Sequence, residues 1–182
     1  MTSRESAGHF AAVAEVLRAI DLASVEHLAR RLVSARQRGA LVFVVGNGRS
    51  AALASHFVCD LQKVCHMRAL SLDNAPLLTA WSNDVDYKDA LARQLKVVAR
   101  GGDLLIVISC SGTSGNILQA LAEAKQGGMV RLAIFGALGR AAAMYSDAAV
   151  IIPSVDYGVI EDCASAVCHA IVKALGETDE AP

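Results

Sequence analysis

Two short loops rich in glycine and hydroxyl groups have the residue types that bind an anion. The first, Gly-Asn-Gly-Arg-Ser at residues 46–50, separates an apolar run from a segment with helical periodicity. The second, at residues 109–114, is placed in the same way and has four hydroxyl side chains among six residues. Glycine lets the backbone approach a ligand, and the N–H groups at the start of a helix favour negative charge. Either loop alone is explained equally well as a turn with a helix cap, but the two together predict a phosphate-binding site.

Acidic and histidine side chains follow the first loop and recur near the end of the chain. His56 and Asp60 are four residues apart, so on a helix they share one face. Glu161 and His169 belong to the last helical segment, and the four residues together are a nitrogen and oxygen ligand set that zinc accepts. Eight residues of unbroken helix rise about 12 Å. Glu161 and His169 therefore bind one ion only if Glu161 lies at the frayed start of the helix; otherwise Glu161 contributes separately. Beside a phosphate site these residues form an acid/base set; without one, they are explained as solvated charges and partnered histidines.

A dinucleotide-binding fingerprint is an alternative explanation of the first loop. Gly46, Gly48 and Ala51 satisfy G-x-G-x-x-A, and Asp73 falls where a ribose-binding acid is expected. This alternative leaves the hydroxyl-rich second loop without a role. Three other histidines have no acid at matching spacing and are assigned no role: His9, His27 and His66.

Composition limits the classes of partner. The 182 residues and 19.0 kDa correspond to about one domain, and the longest apolar runs fall far short of the ~18 residues of a spanning helix. Seventeen basic and eighteen acidic residues without long runs predict neither a nucleic-acid nor a membrane partner. Residues 1–8 lack the pattern of a signal peptide, which predicts a cytoplasmic protein. Hydrophobic residues make up 54% of the chain and aromatic residues only 4%, which predicts an oligomer that buries apolar surface.

Alternating strand and helix patterns predict the fold class. Short apolar runs without polar alternation are typical of strands buried on both faces of a parallel sheet, and five occur, at 40–45, 68–72, 104–108, 132–135 and 149–152. Two amphipathic helices precede them, and further helical segments are predicted at 50–65, 86–99, 114–125, 140–145 and 160–175. Asn83 and Asp84 are predicted to cap the helix at 86–99, and Trp81 to anchor packing or to contact a ligand. The pattern predicts an α/β, three-layer αβα sandwich, in which the strand order 2-1-3-4-5 places both loops at one switch point.

Several motifs in a fixed order resemble a known family, the sugar isomerase (SIS) domain, and within it the phosphoheptose isomerase group. The motifs are G-N-G-x-S, H-F-x-x-[DE]-L, N-D, S-x-S-G-x-S and an acid or amide eight residues before a histidine. The resemblance implies a single SIS domain over 1–182, with an N-terminal helical extension at 1–39 and an α/β core at 40–176. It further implies a flavodoxin-like sheet and a homotetramer with active sites at subunit interfaces. The implied reaction converts sedoheptulose 7-phosphate to D-glycero-D-manno-heptose 7-phosphate.

The same resemblance implies roles for individual residues. The implied substrate-binding residues are Asn47, Gly48, Ser50, Asp84, Ser109, Cys110, Ser111 and Ser114, of which Ser50, Ser109, Ser111 and Ser114 hold the phosphate. The implied zinc ligands are His56, Asp60, Glu161 and His169. Asp60 or Glu161 is the implied base, His169 moves protons between oxygens, and zinc polarises the carbonyl.

Some positions depart from the pattern of the family. Asp60 stands for a longer glutamate, Glu161 for a glutamine, Cys110 for a threonine and Arg49 for a glycine. A related ketose/aldose phosphate pair is therefore an alternative substrate. A non-catalytic member that binds phosphosugars or associates with a replication initiator is an alternative function, although retention of Asp60 and His169 argues against it. The dinucleotide-binding domain is less favoured.

Overall fold

Five short parallel strands form the centre of the fold. In this computed structural model, which describes residues 3–176, the strands are β1 (Val42–Val45), β2 (Ala69–Ser71), β3 (Leu104–Ser109), β4 (Val130–Gly136) and β5 (Ala148–Ile152). They pair in the order β2-β1-β3-β4-β5, and in the register Val42 lies opposite both Ala69 and Leu104. The predicted α/β class and strand order are therefore confirmed. Residues 1–2 and 177–182 of the predicted domain lie outside the described residues.

Seven α-helices cover the sheet. They are α1 (Ser3–Ala19), α2 (Leu22–Gln37), α3 (Arg49–Lys63), α4 (Ala75–Asp84), α5 (Ala90–Val98), α6 (Gly115–Gln126) and α7 (Tyr157–Gly176) within the described chain. Helices α1, α2, α3 and α7 pack on one face, while α5 and α6 pack on the other. None of the described helices combines the length and the apolar character needed to cross a bilayer.

Each central strand contributes to two separate cores. In β3, Leu104 and Ile106 belong to the core beneath α1, α2, α3 and α7, whereas Leu105 and Val107 face the core beneath α5 and α6. All six residues of β3 are buried. Side chains of a strand point alternately to its two faces, so a strand covered on both sides must be apolar throughout.

The region between β2 and β3 differs from the prediction. The prediction that Asn83 and Asp84 cap the next helix is wrong, because both end α4, a helix that the apolar pattern did not reveal. Helix α4 starts from local signals instead: the Asn74 side chain accepts the Leu77 N–H at 3.2 Å, and Pro76 lies in the first turn. Trp81 is part of α4, which has no buried residue, so it is not a core anchor.

Two other helices differ in extent. The segment predicted at 140–145 forms two short 3₁₀ helices, Ala137–Arg140 and Ala142–Tyr145. Helix α7 begins at Tyr157 and not near residue 160, because the Asp156 side chain accepts the Val159 N–H at 3.1 Å. Glu161 therefore lies inside α7 and not at its start, which leaves it eight residues of continuous helix from His169.

Candidate active site

The first loop connects the end of β1 to α3 in a very tight turn. A Cβ added to Gly46 would lie 2.6 Å from the backbone carbon of Ser50, a distance that real Cβ atoms do not show. Glycine at this position therefore lets the strand end approach the first turn of α3. The approach buries Ser50, whose hydroxyl lies close enough to the Cys110 thiol of the second loop to lower the pKa of that thiol in part.

The second loop is folded by its own hydroxyl groups. The buried Ser109 hydroxyl accepts the Gly112 N–H at 3.1 Å, and the Ser111 hydroxyl accepts both the N–H and the hydroxyl of Thr113. Gly112 has φ +66°, and a Cβ there would lie 2.7 Å from the Cα of Gly139. Ser114 is the N-cap residue of α6, yet its side chain makes no capping hydrogen bond there. Helix capping thus does not account for the Ser114 hydroxyl.

The two loops meet in one cleft at the carboxyl ends of β1 and β3. The cleft has a volume of about 230 Å³, and its lining includes Arg49, Ser50, Ser109, Cys110 and Glu161. With Asp162, which also lines it, the cleft combines hydroxyl groups from both loops with two acidic side chains and one basic side chain. This is the position in a doubly wound sheet where ligands bind.

The buried Asn116 fixes the first loop to α6. Asn47 donates to the Asn116 side-chain oxygen at 2.9 Å, and Asn116 donates back to the Asn47 oxygen at 2.7 Å. The Tyr87 hydroxyl donates to the same Asn47 oxygen at 2.8 Å. Since β1 and α6 are far apart in sequence, this amide pair sets the loop that follows β1 against the helix that follows β3.

An ion pair spans the mouth of the cleft. Arg49 Nη1 lies 2.9 Å from Glu161 Oε2, and the side chain of Arg49 is 70% exposed whereas that of Glu161 is 17% exposed. Burial raises the pKa of the Cys110 thiol, the Glu161 charge raises it further, and the Ser50 hydrogen bond and Arg49 oppose these effects only in part. Cys110 therefore contributes a neutral thiol to the cleft.

Three of the four predicted zinc ligands lie together. His56 Nε2 is 3.1 Å from His169 Nε2, and Asp60 Oδ2 lies 3.4 Å from the first and 3.7 Å from the second. Adjacent ligand atoms of a tetrahedral zinc ion with bonds of about 2.0–2.1 Å are about 3.3 Å apart, so these donors fit zinc in both type and spacing. Glu161 stands outside this group of three and is paired with Arg49.

The cleft and this His/Asp group both lie between α3 and α7, and the faces of the two helices that connect them are called the groove below. Arg49 and Glu161 are at the cleft end, Leu53 and Ser165 line the next helical turn, and the His/Asp group follows beyond them. Along α7 the rise from Glu161 to the far end at residue 169 is about 12 Å. The groove thus places hydroxyl groups at one end and imidazole and carboxylate groups at the other.

A smaller cleft lies on the other side of the first loop. It has a volume of about 80 Å³ and is lined by Gly46, Gly48 and Asp73, the residues of the dinucleotide alternative. Asp73 accepts hydrogen bonds from Ser55 and Ser71, and these lower its pKa although burial alone would raise it. The carboxylate that would bind a ribose is thus already bonded within the protein.

The remaining predicted site residues lie further from the cleft. Asp84 is exposed at the end of α4, where its side chain accepts a hydrogen bond from Asn83 at 2.9 Å, and it lines neither cleft. Ser111 and Ser114 belong to the second loop but are not among the residues that line the main cleft. Their predicted contacts with a phosphate stay predictions.

Two residues near the cleft had no predicted role. His9 on α1 bonds to Asp162 on α7, with His9 Nε2 2.7 Å from Asp162 Oδ2, and Asp162 lines the main cleft. In the sequence, Arg49 stands out only as a departure from the pattern of the family. Both residues act through partners more than 100 positions away in the chain, so no local spacing could have revealed them.

Comparisons with known proteins identify the family and agree with the fold. Residues 8–136 match the model of the SIS domain. The chain is 35% identical over 165 residues to the "probable phosphoheptose isomerase" of Thermoplasma volcanium, with 87% of this chain and 84% of that protein covered. It is 38% identical over 152 residues to the phosphoheptose isomerase of Mycobacterium tuberculosis, covering 78% and 75%. The structure of a phosphoheptose isomerase from Francisella tularensis superposes with a TM-score of 0.88 at 27% identity, covering 98% and 100%.

Proposed function

The chain belongs to the SIS domain family, and from that membership we propose that it is a phosphosugar isomerase. The proposed reaction interconverts sedoheptulose 7-phosphate and D-glycero-D-manno-heptose 7-phosphate, or a closely related ketose/aldose phosphate pair, through an enediol. Relatives at 33–38% identity are named phosphoheptose isomerases, which supports this substrate class. The observation that carries the proposal is the groove with a hydroxyl-lined cleft at one end and the His/Asp group at the other.

The length of the groove supports a long open-chain sugar. With about 1.5 Å per bond, an extended heptose 7-phosphate measures about 10 Å from its first carbon to phosphorus. The rise along α7 between the two ends of the groove is about 12 Å. A phosphate in the cleft thus leaves the carbonyl end of the sugar beside Asp60 and His169, whereas a short triose phosphate could not reach them.

The cleft holds the phosphate end of the substrate in this proposal. Ser50 and Ser109 offer hydroxyl groups from the two loops, and the positive end of the α3 dipole lies beside them, because Arg49 and Ser50 of its first turn line the cleft. Contacts of Ser111 and Ser114 with the phosphate stay predictions, because neither residue lines the cleft, and Asn47 and Gly48 shape the first loop. Such contacts are the same for substrate and product, so they position the sugar and do not change during the reaction.

Proton transfer takes place at the other end of the groove. Asp60 removes a proton from the first carbon, next to the ketose carbonyl, and returns it to the second carbon after the enediol has formed. His169 takes the proton of the first hydroxyl and gives it to the second oxygen, so that the ketone becomes a hydroxyl and the first carbon becomes an aldehyde. Both residues lie at the same end of the groove, which is why we prefer Asp60 to Glu161 as the base.

Zinc is the metal that the donor set suits. We infer that His56, Asp60 and His169 hold it, and Glu161 stays a predicted fourth ligand that must first leave Arg49. A bound zinc ion supplies Lewis-acid polarisation of the substrate carbonyl. Three protein ligands and a position open to substrate are the pattern of catalytic zinc centres.

Assembly, location and domain extent complete the proposal. We propose a cytoplasmic homotetramer of one SIS domain over 1–182, with no nucleic-acid or membrane partner. Large apolar side chains are exposed on α1 and α4, including Phe10 and Leu77, and a subunit interface would bury them. The formal net charge of −1 supports a small-molecule partner over a polyanion.

Hydrogen exchange tests the proposed reaction directly. In D₂O, sedoheptulose 7-phosphate should lose proton signal at its first carbon when the protein is present, because the enediol exchanges that proton with solvent. The substitution His169→Asn should slow this exchange at least about 100-fold, the contribution of a general acid/base. The matched control His27→Asn, on α2 and away from the groove, should exchange at the wild-type rate. Binding of the sugar phosphate without exchange would instead identify a regulatory member of the family, and stabilisation by NAD alone would favour the dinucleotide alternative.

A further inference from the structure

The charges around the main cleft are almost balanced before any ligand binds. Its lining includes two acids, Glu161 and Asp162, and one basic residue, Arg49, among the described residues. Asp162 is already paired with His9, and Glu161 with Arg49. A sugar phosphate brings up to two negative charges into this cleft, so it requires a cation that can turn towards it.

We propose that Arg49 is the residue that binds the phosphate charge, and that Glu161 holds its guanidinium at the cleft mouth until a phosphate replaces the carboxylate. This inference rests on the proposed function, because it assigns the phosphate end of that substrate to Arg49. The hydroxyl groups of Ser50 and Ser109 orient the phosphate oxygens, while Arg49 supplies the opposite charge. Arg49 is thereby a substrate-binding residue in addition to those predicted from the sequence.

The geometry of Arg49 suits an exchange of partners. It is the first residue of α3, so its backbone is fixed beside the first loop while its side chain, 70% exposed, can rotate. A guanidinium group binds a phosphate or a carboxylate with the same planar set of N–H donors. The guanidinium is exposed at its end of the ion pair, so solvent screens its charge and lowers the cost of exchanging the carboxylate for a phosphate.

The exchange also changes the state of Glu161. Its side chain is only 17% exposed and faces the cleft, so it is left without its cation when Arg49 turns to the phosphate. The carboxylate then becomes available to the hydroxyl groups of the bound sugar. Binding of the phosphate and release of Glu161 are thus two parts of one event.

Titration with inorganic phosphate tests the proposal without any turnover. Calorimetry should compare the wild type, Glu161→Gln, Arg49→Gln and the double variant. E161Q frees the guanidinium and should bind phosphate about threefold more tightly than the wild type, the size of a screened ion pair. The double variant should bind it at least about 10-fold more weakly than E161Q, which is the loss of one charge-assisted hydrogen bond. This comparison isolates Arg49, because Glu161 is absent from both proteins.

A second arginine provides the matched control. Arg30 on α2 is 67% exposed and is paired with Glu26 at 3.5 Å, so Arg30→Gln removes the same charge from a similar ion pair away from the cleft. R30Q should bind phosphate as the wild type does. Equal phosphate affinity in E161Q and the double variant, an equal loss in R30Q, or no phosphate binding by E161Q would each overturn the proposal.

Kinetics separates this proposal from the proposed reaction. With sedoheptulose 7-phosphate, the double variant should raise KM about 10-fold over E161Q while kcat changes less than about threefold, because the phosphate contact is the same in substrate and transition state. A residue that only supported the fold would lower stability without this split. If none of the proteins turns the sugar over, the proposed reaction fails, and the phosphate titration still decides the role of Arg49.

Discussion

Replacing Asp60 with asparagine tests whether the His/Asp group is a metal site. The substitution Asp60→Asn keeps the shape of the side chain and removes the negative charge that lies 3.4 and 3.7 Å from the two histidine nitrogens. Zinc prefers a charged carboxylate oxygen to a neutral amide oxygen in such a set. We expect D60N to retain the fold, because the Asp60 side chain is only partly buried and lies at the surface of the α3–α7 groove.

The expected magnitude follows from its position as a direct ligand. Loss of a residue that merely supports a ligand lowers metal affinity about 10–100-fold, so loss of the carboxylate should reach at least about 100-fold. At a zinc concentration 100 times the wild-type Kd, the ion stabilises the native state by about 2.7 kcal/mol. For a chain of this size that is a rise in Tm of about 5–10 °C, most of which D60N should lose.

Zinc competition with a chromophoric chelator and thermal unfolding with and without zinc measure these two quantities. The control Asp162→Asn removes an aspartate from α7 that also contacts a histidine, at 2.7 Å, but has no third donor beside it. D162N should bind zinc as the wild type does. Wild-type affinity in D60N, or a wild type that zinc neither binds nor stabilises, would refute the metal site.

Two further predictions concern the fold that holds the site. Gly46→Ala should destabilise the protein by about 1–3 kcal/mol in urea unfolding, because the new Cβ overlaps the start of α3. Gly8→Ala is the control: it lies within α1 with open space around it, so the substitution should stabilise the protein by up to about 1 kcal/mol. Equal effects of the two changes would contradict the tight turn. Asp147→Asn should lower stability at neutral pH, since hydrogen bonds from Arg131 hold the pKa of Asp147 below its ordinary 3.8 despite its partial burial. A carboxyl group with a lowered pKa stabilises the fold above pH 3.8, and this contribution is lost as the pH falls further. The difference in stability between D147N and the wild type should therefore disappear in acid. A constant difference across the pH range would show another cause.

The sheet was predictable because its requirements are repetitive. A strand covered on both faces needs an uninterrupted apolar run, and the runs at β1, β3, β4 and β5 are short, β-branched and separated by helical segments. The strand order 2-1-3-4-5 follows if both anion-binding loops serve one ligand, because this order places the ends of β1 and β3 at the same switch point. Helix α4 was missed because it buries no residue, so it leaves no apolar period, and only Asn74 and Pro76 mark its start.

Residue spacing alone predicts the site only where its members are close in sequence. His56 and Asp60 share a face of α3 because they are four residues apart, and this holds on any helix. That His169 meets them depends on how α7 crosses α3, which no spacing shows. Glu161 illustrates the reverse: the resemblance to the family implies a ligand at this position, yet the structure pairs its carboxylate with Arg49.

The Arg49–Glu161 pair accounts for two departures from the family by one physical cause. A carboxylate in place of a glutamine would add a negative charge to a cleft that must accept a phosphate, and the arginine in place of a glycine offsets it at 2.9 Å. Neither change is favourable alone: Glu161 without Arg49 repels the phosphate, and Arg49 without Glu161 leaves an exposed cation that any anion can occupy. The two substitutions should therefore occur together. In binding measurements, the phosphate affinity of E161Q should exceed that of the wild type, the affinity of Arg49→Gln should be lower, and the affinity of the double variant should fall between those of the two single variants.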